Sequence, residues 1–185
     1  MAKKIILGIV LFIPVLFVIV QYNGLVALRN HIADAWANID TELKRRYDLI
    51  PNLVATVKGY AAHERGVLER VIELRNRCAA QTGSSPEEQR DEQELVNTLK
   101  QVLVLAENYP QLKADQHFLK LQQELVNTED RIQAARRFYN GNVRDYRNKC
   151  ESFPSNIVAS LFGFKPAQYF DVEPATRELP QARFQ

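Results

Sequence analysis

The stretch Ile50–Cys78, IPNLVATVKGYAAHERGVLERVIELRNRC, decides the fold class. Ile50, Leu53, Val57, Tyr60, Val67, Val71, Leu74 and Cys78 recur at intervals of three and four, with one vacancy at position 64. That is the period of a helix with a single buried face, and no strand alternation of useful length competes with it. The same spacing extends outward in both directions. It runs through Leu25, Leu28, Ile32, Ala35, Ile39 and Leu43 before this stretch. After it come Leu95, Leu99, Val102, Ala106 and Tyr109, then Phe118, Leu121, Leu125, Ile132, Tyr139, Val143, Tyr146 and Cys150.

The breaks between stripes have physical causes. Pro51 has no amide hydrogen but fits a first helical turn, so it marks a start or a kink near Ile50. Gly83, Ser84, Ser85, Pro86 and Glu88 stop one helix and restart another, with Ser85 as N-cap and Glu88 closing a capping box. Pro110 separates the third stripe from the fourth. The expected body is four amphipathic helices at about 24–47, 50–80, 86–108 and 111–149. Short connections make them antiparallel neighbours, an up-down four-helix bundle in an all-α chain. If Pro51 and Pro110 only kink their helices, the alternative is a long two-helix hairpin, 24–80 against 87–149.

Ahead of the body, Ile5–Val20 (IILGIVLFIPVLFVIV) holds no polar side chain, and no charge follows until Arg29. A spanning helix needs about 20 mostly apolar residues, and Tyr22 suits the headgroup level. Pro14 is tolerated in such a helix. A cleaved signal peptide is disfavoured because no small-x-small site follows Val20. The chain therefore reads as an N-terminal transmembrane anchor (1–23), a helical body (24–152), an aromatic amphipathic tail (153–170) and an extended polar C-terminus (171–185). Lys3 and Lys4 precede the span and only Arg29 follows closely, so the positive-inside rule favours a periplasmic body in the bacterial inner membrane.

Charge narrows the function. The 24 basic and 22 acidic side chains leave a formal +2, carried by Lys3 and Lys4, so the body is neutral and nucleic acid is not an expected partner. His63-Glu64 begins like a zinc-protease motif, but the second histidine position is Val67. No catalytic triad, phosphate loop or paired CxxC is present, so no catalytic, metal or cofactor residue is nominated. Cys78 and Cys150 lie on apolar stripes and read as small buried hydrophobes. Lys44-Arg45-Arg46 reads as the basic end of the first helix.

Four charges interrupt the stripes. Glu64 fills the vacancy between Tyr60 and Val67, Glu129 and Arg136 flank Ile132, and Arg29 adjoins Leu28. Buried charges need partners, so Arg29, Glu64, Glu129 and Arg136 are expected to form a core ionic network. In the tail, Ile157, Leu161, Phe162, Phe164 and Phe170 are expected to meet the membrane interface or a neighbouring subunit, or else to cap their own bundle.

The segments YNGLVALRN (22–30), AWANIDTELKRRYDLIPNLVATVKGYAAHE (35–64), ENYPQLKA (107–114), RRFYNGNV (136–143) and FPSNIVASLFGFKPAQYF (153–170) resemble the LemA family. The resemblance implies a bacterial membrane protein with one N-terminal span and an antiparallel helical body, and it favours the four-helix bundle over the hairpin. It supplies no catalytic residues. Family members are linked to magnetosome membranes or encoded near membrane metalloproteases, and some have the body on the cytoplasmic side, opposite to the charge argument. The expected function is a non-enzymatic, membrane-anchored interaction or scaffold protein that self-associates. The alternatives are an accessory subunit or substrate adaptor of a membrane metalloprotease, and an enzyme using the core carboxylates.

Overall fold

In the computed structural model, the residues described are 2–61, 63–81 and 85–170, with side chains from Phe12 onward except Pro86. The polar C-terminus 171–185 lies outside them. Six helices follow in order: α1 (Ala2–Tyr60), α2 (Arg65–Ala80), α3 (Pro86–Ala106), α4 (Pro110–Lys113), α5 (Gln116–Glu151) and α6 (Ser155–Leu161). No strand occurs among the described residues. The packing groups them into two compact units, one spanning Trp36–Ala135 and one joining the residues up to Ala35 to those from Arg136 onward.

The Trp36–Ala135 unit is a four-helix bundle. Ile50, Leu53 and Val57 of α1, Leu68, Val71, Leu74 and Cys78 of α2, Leu95, Leu99 and Val102 of α3, and Phe118 and Leu125 of α5 share one core. All of them are stripe residues except Leu68. Fully burying side chains of this kind stabilises by about 1.5–3 kcal/mol each, which is why the stripes dictate the packing.

The first two helix boundaries differ from the expected ones. α1 does not end near Ile50 but runs through Pro51 to Tyr60, and the turn falls at 61–64. Proline leaves the carbonyl four residues earlier, that of Tyr47, without its helical donor. The Arg75 Nε of α2 donates to this Tyr47 carbonyl at 3.0 Å. With Pro51 exposed and its orphaned acceptor satisfied from a neighbouring helix, the break moves to the next weak point, between Gly59 and Gly66. There Glu64 N–H donates to the Ala61 carbonyl at 3.1 Å and α2 restarts. The stripe vacancy at position 64 marks this turn. Just beyond it Leu68 is buried and Val67 only partly so, while Val71, Leu74 and Cys78 keep their stripe positions in the core.

The other boundaries are local chemistry. Ser85 and Glu88 form the expected capping box, with Glu88 N–H on Ser85 Oγ at 3.2 Å and Ser85 N–H on Glu88 Oε2 at 2.7 Å. The helix expected over 111–149 is interrupted at Ala114–Asp115. Asp115 caps α5 by accepting the Phe118 amide at 2.9 Å, while its other oxygen accepts the Tyr60 hydroxyl at 2.9 Å. The amide and the hydroxyl together hold the Asp115 carboxyl below its ordinary pKa.

In the second unit, Leu25 of α1, Tyr146 and Cys150 of α5 and Val158 and Ala159 of α6 form a small core, with Leu28, Ile32 and Phe164 packed on it. The Phe153–Pro154 peptide is cis. The buried Ser155 hydroxyl reaches the carbonyls of Lys149 and Ser152 at the C-terminal end of α5. α6 ends on Gly163, whose φ of +71° only glycine adopts without cost. Gly163 N–H then bonds the Ser160 carbonyl and Phe164 N–H the Ala159 carbonyl, a Schellman ending that turns Phe164 back onto the core.

The Pro51–Arg75 pairing makes a test. Arg75→Met should destabilise the protein by about 1 kcal/mol, the scale of one lost hydrogen bond. In a Pro51→Ala background the same change should cost measurably less, because residue 51 then supplies the missing donor. Denaturant unfolding of the four variants reads the coupling, and equal costs in both backgrounds would refute the compensation.

Candidate functional site

The charged centre of the four-helix unit is Arg46, only 2% exposed. Its Nη1 donates to Glu129 Oε2 at 2.9 Å and its Nη2 pairs with Glu92 Oε2. The hydroxyl of Tyr47 donates to the other oxygen of Glu92, and Gln133 Nε2 donates to Glu129 Oε1 at 3.2 Å. One guanidinium on α1 thereby ties together α3 and α5. A cavity of about 130 Å³ lies beside the cluster, with Leu99, Leu103 and Leu125 among its walls and Lys100 at its lining. Its walls are mostly apolar, and it is smaller than the about 300–1,000 Å³ that small-molecule sites usually enclose. A larger groove of about 690 Å³ runs between α1 and α2 over Val54, Leu68 and Ile72, edged by Lys58, Arg65, Glu69 and Glu73. Among the described residues no group of three histidine, cysteine or carboxylate side chains is placed to hold a metal.

This cluster is not the network expected from the sequence. Of Arg29, Glu64, Glu129 and Arg136, only Glu129 belongs to it. Arg29 is exposed and lies over the Phe164 ring, 5.6 Å from its centre. Arg136 stacks over Phe170 at 4.5 Å. Glu64 stands at the α1–α2 turn and accepts the Tyr109 hydroxyl at 3.4 Å. It fills a gap in the stripe only if one helix runs on past Tyr60 into α2. By sequence Arg46 reads as the basic end of a helix, because Pro51 implies a boundary near residue 47. With α1 continuous, Ile39, Leu43, Arg46, Ile50, Leu53 and Val57 form one unbroken three-four stripe, and Glu92 stands three residues before Leu95. Stepping each stripe back by one interval finds both residues.

The tail residues divide. Phe170 is buried. Asn140 clamps it to α5, accepting the Phe170 amide at 2.8 Å and donating to its carbonyl at 3.0 Å. Tyr139 adds a hydrogen bond to the Gln168 carbonyl at 3.1 Å. Phe164 is half-buried between Tyr22 and Arg29. Ile157, Leu161 and Phe162 are exposed, as is Phe153. Asn140 escaped notice in the sequence because an asparagine within a helix carries no pattern until its partner strand of backbone is known.

A family model described as the LemA family matches residues 35–184. The chain belongs to the LemA family. Among curated relatives, it is 25% identical to "Magnetosome protein MamQ 2" of Paramagnetospirillum magneticum, over 92% of this chain and 71% of that protein. It is 23% identical to "Magnetosome protein MamQ" of Magnetospirillum gryphiswaldense over the same shares. It is 27% identical to "Protein LemA" of Metamycoplasma hominis, over 74% of this chain and 63% of that protein. The family match begins after the apolar run. α1 is long and apolar enough to cross a membrane and lies near the N-terminus, which fits a single-pass membrane protein.

For this LemA-family chain, both cysteines are free and buried. Burial pushes the Cys78 thiol up to about 11, against a smaller opposing pull from Arg46, and burial also raises Cys150. Cys78 should therefore react with iodoacetamide about a hundredfold more slowly in the folded protein than in denaturant, and Cys150 should also be slowed, since the thiolate is the reactive form. Equal rates would show that the two sites are open. Arg46→Met strands two carboxylates and should cost about 3–5 kcal/mol, whereas Glu129→Gln, at the outer side of the cluster, should cost less. Replacing Arg46, Glu92 and Glu129 together by leucine should recover most of the loss in Tm, and no recovery would mean that the cluster does more than neutralise itself.

Proposed function

We propose that the chain is a non-enzymatic, membrane-tethered helical scaffold of the bacterial envelope that self-associates, with its α1 N-terminal segment as the span. The observation that carries this reading is the surface of α1. Phe12, Ile13, Val15, Leu16, Ile19 and Val20 are all exposed, whereas Ile50, Leu53 and Val57 further along the same helix are fully buried. A run of exposed apolar side chains this long requires a nonaqueous cover, and a bilayer matches it in length and composition.

The charges support a structural part. Arg46, Glu92 and Glu129 are spent on one another, and Glu64 and Tyr109 on each other, which leaves the carboxylates nominated for an enzyme engaged by neighbouring side chains. Two of the relatives are magnetosome proteins by name. Lys3 and Lys4 before the span, against Arg29 after it, favour a body on the outer side of the inner membrane.

Membranes carrying the tagged full-length chain test the reading. The protein should resist extraction by alkaline carbonate, and in mild detergent it should migrate as a homo-oligomer. A monomer would refute self-association, and stoichiometric copurification of a metalloprotease would replace the scaffold by an adaptor. In spheroplasts, added protease should digest the body. Protection there with digestion in inverted vesicles would place the body in the cytoplasm and overturn the charge argument.

A further inference from the structure

α6 presents two unlike faces. Ser155, Val158 and Ala159 are buried against α1 and α5, while Ile157 (59% exposed) and Leu161 (73%) point away, continued by Phe153 and Phe162 on either side. Ile157 and Leu161 are four apart on α6, so they line one outward face, and the exposed Phe162 extends it. This is unlike the scattered exposed leucine or valine of an ordinary surface, because it is contiguous and partly aromatic.

Its position on α1 indicates what covers it. The Phe162 ring packs edge-on against Tyr22, with centres 4.9 Å apart, and Phe164 meets the same tyrosine at 5.5 Å. Tyr22 follows the exposed apolar run Phe12–Val20 by two residues, about 3 Å along the helix. The stripe therefore stands at the level where α1 changes from apolar to polar, the level at which a bilayer places its headgroups and upper acyl chains. The neighbouring cations fit that level. Arg29 lies over Phe164, Arg147 lies over Tyr169 at 5.3 Å, and Lys165, between the two rings in sequence, is exposed. Aromatic rings with adjacent cations and an apolar stripe are the composition of an interfacial segment on an anionic membrane.

We propose that α6 and Phe162 form a second membrane contact, lying in the interface of the same bilayer that α1 crosses. This rests on the reading of α1 as a span. The contact converts a single-helix tether, free to rotate about its axis, into a two-point attachment that holds the α1–α5–α6 unit in one orientation to the membrane surface.

The test uses the full-length chain, with Trp36→Phe, reconstituted in vesicles of phosphatidylcholine and phosphatidylglycerol carrying bromine on the upper acyl carbons. Single tryptophans report from Phe17→Trp in the span and Leu161→Trp on the stripe. Both should be quenched by the brominated lipid, and Ile157→Lys added to the second variant should reduce its quenching. Quenching at 17 without quenching at 161 would overturn the interfacial contact while leaving the span intact. Absence of quenching at both would remove the span and the contact with it. An unquenched but blue-shifted tryptophan at 161, with cysteine cross-links between Leu161→Cys chains, would assign the stripe to a second copy and refute the proposal.

Discussion

A guanidinium shut inside a helical bundle constrains everything around it. Moving an isolated charge from water into a protein core is unfavourable by far more than the net stability of a domain, so Arg46 is tolerable only where carboxylates meet it. Glu92 arrives from α3 and Glu129 from α5, and each can do so at only one rotation and one height of its helix. A purely apolar core tolerates sliding of one helix along another, because leucine packs against leucine at several registers. An ion pair with fixed donors does not. The cluster joins three helices of the Trp36–Ala135 unit at one point, and the apolar stripes supply the bulk of its stability. Tyr47 and Gln133 complete the cluster by donating to the remaining carboxylate oxygens.

The same logic of satisfied polar groups explains how α1 continues through a proline. A helix interior normally rejects proline because an acceptor is orphaned and the ring crowds it. Here Arg75 repairs the acceptor from another helix, so the defect in α1 becomes a bond that fastens α2 to it. Asn140 works in the same way in the other unit, where one side-chain amide replaces a rung of sheet and holds Phe170 against α5.

Much of the molecule could be read from residue order. The helical class, the apolar N-terminal helix, the Ser85–Glu88 cap and the burial of Cys78 and Cys150 all follow from periodicity or local capping chemistry, which act within a few residues. The reading was less successful wherever a local signal had a distant remedy. Pro51 looked like a boundary because Arg75 lies 24 residues away in sequence. Arg46 looked like a basic helix end because of that same false boundary, and the error carried through to the ionic network. Glu64, Arg29 and Arg136 were grouped with Glu129 because each disturbed a stripe, but disturbing a stripe does not say which partner resolves it. Arg29 and Arg136 found aromatic faces, and Glu64 found a tyrosine.

By itself, the sequence determined that the chain is a set of amphipathic helices behind an apolar one, since hydrophobic period and capping are properties of neighbouring residues. Only the tertiary structure decided which charges pair, where α1 ends, and which tail aromatics are clamped inward and which stay outside. Those outcomes depend on side chains brought together from separate helices, and a satisfied buried hydrogen bond or ion pair can override the local preference at either of its ends.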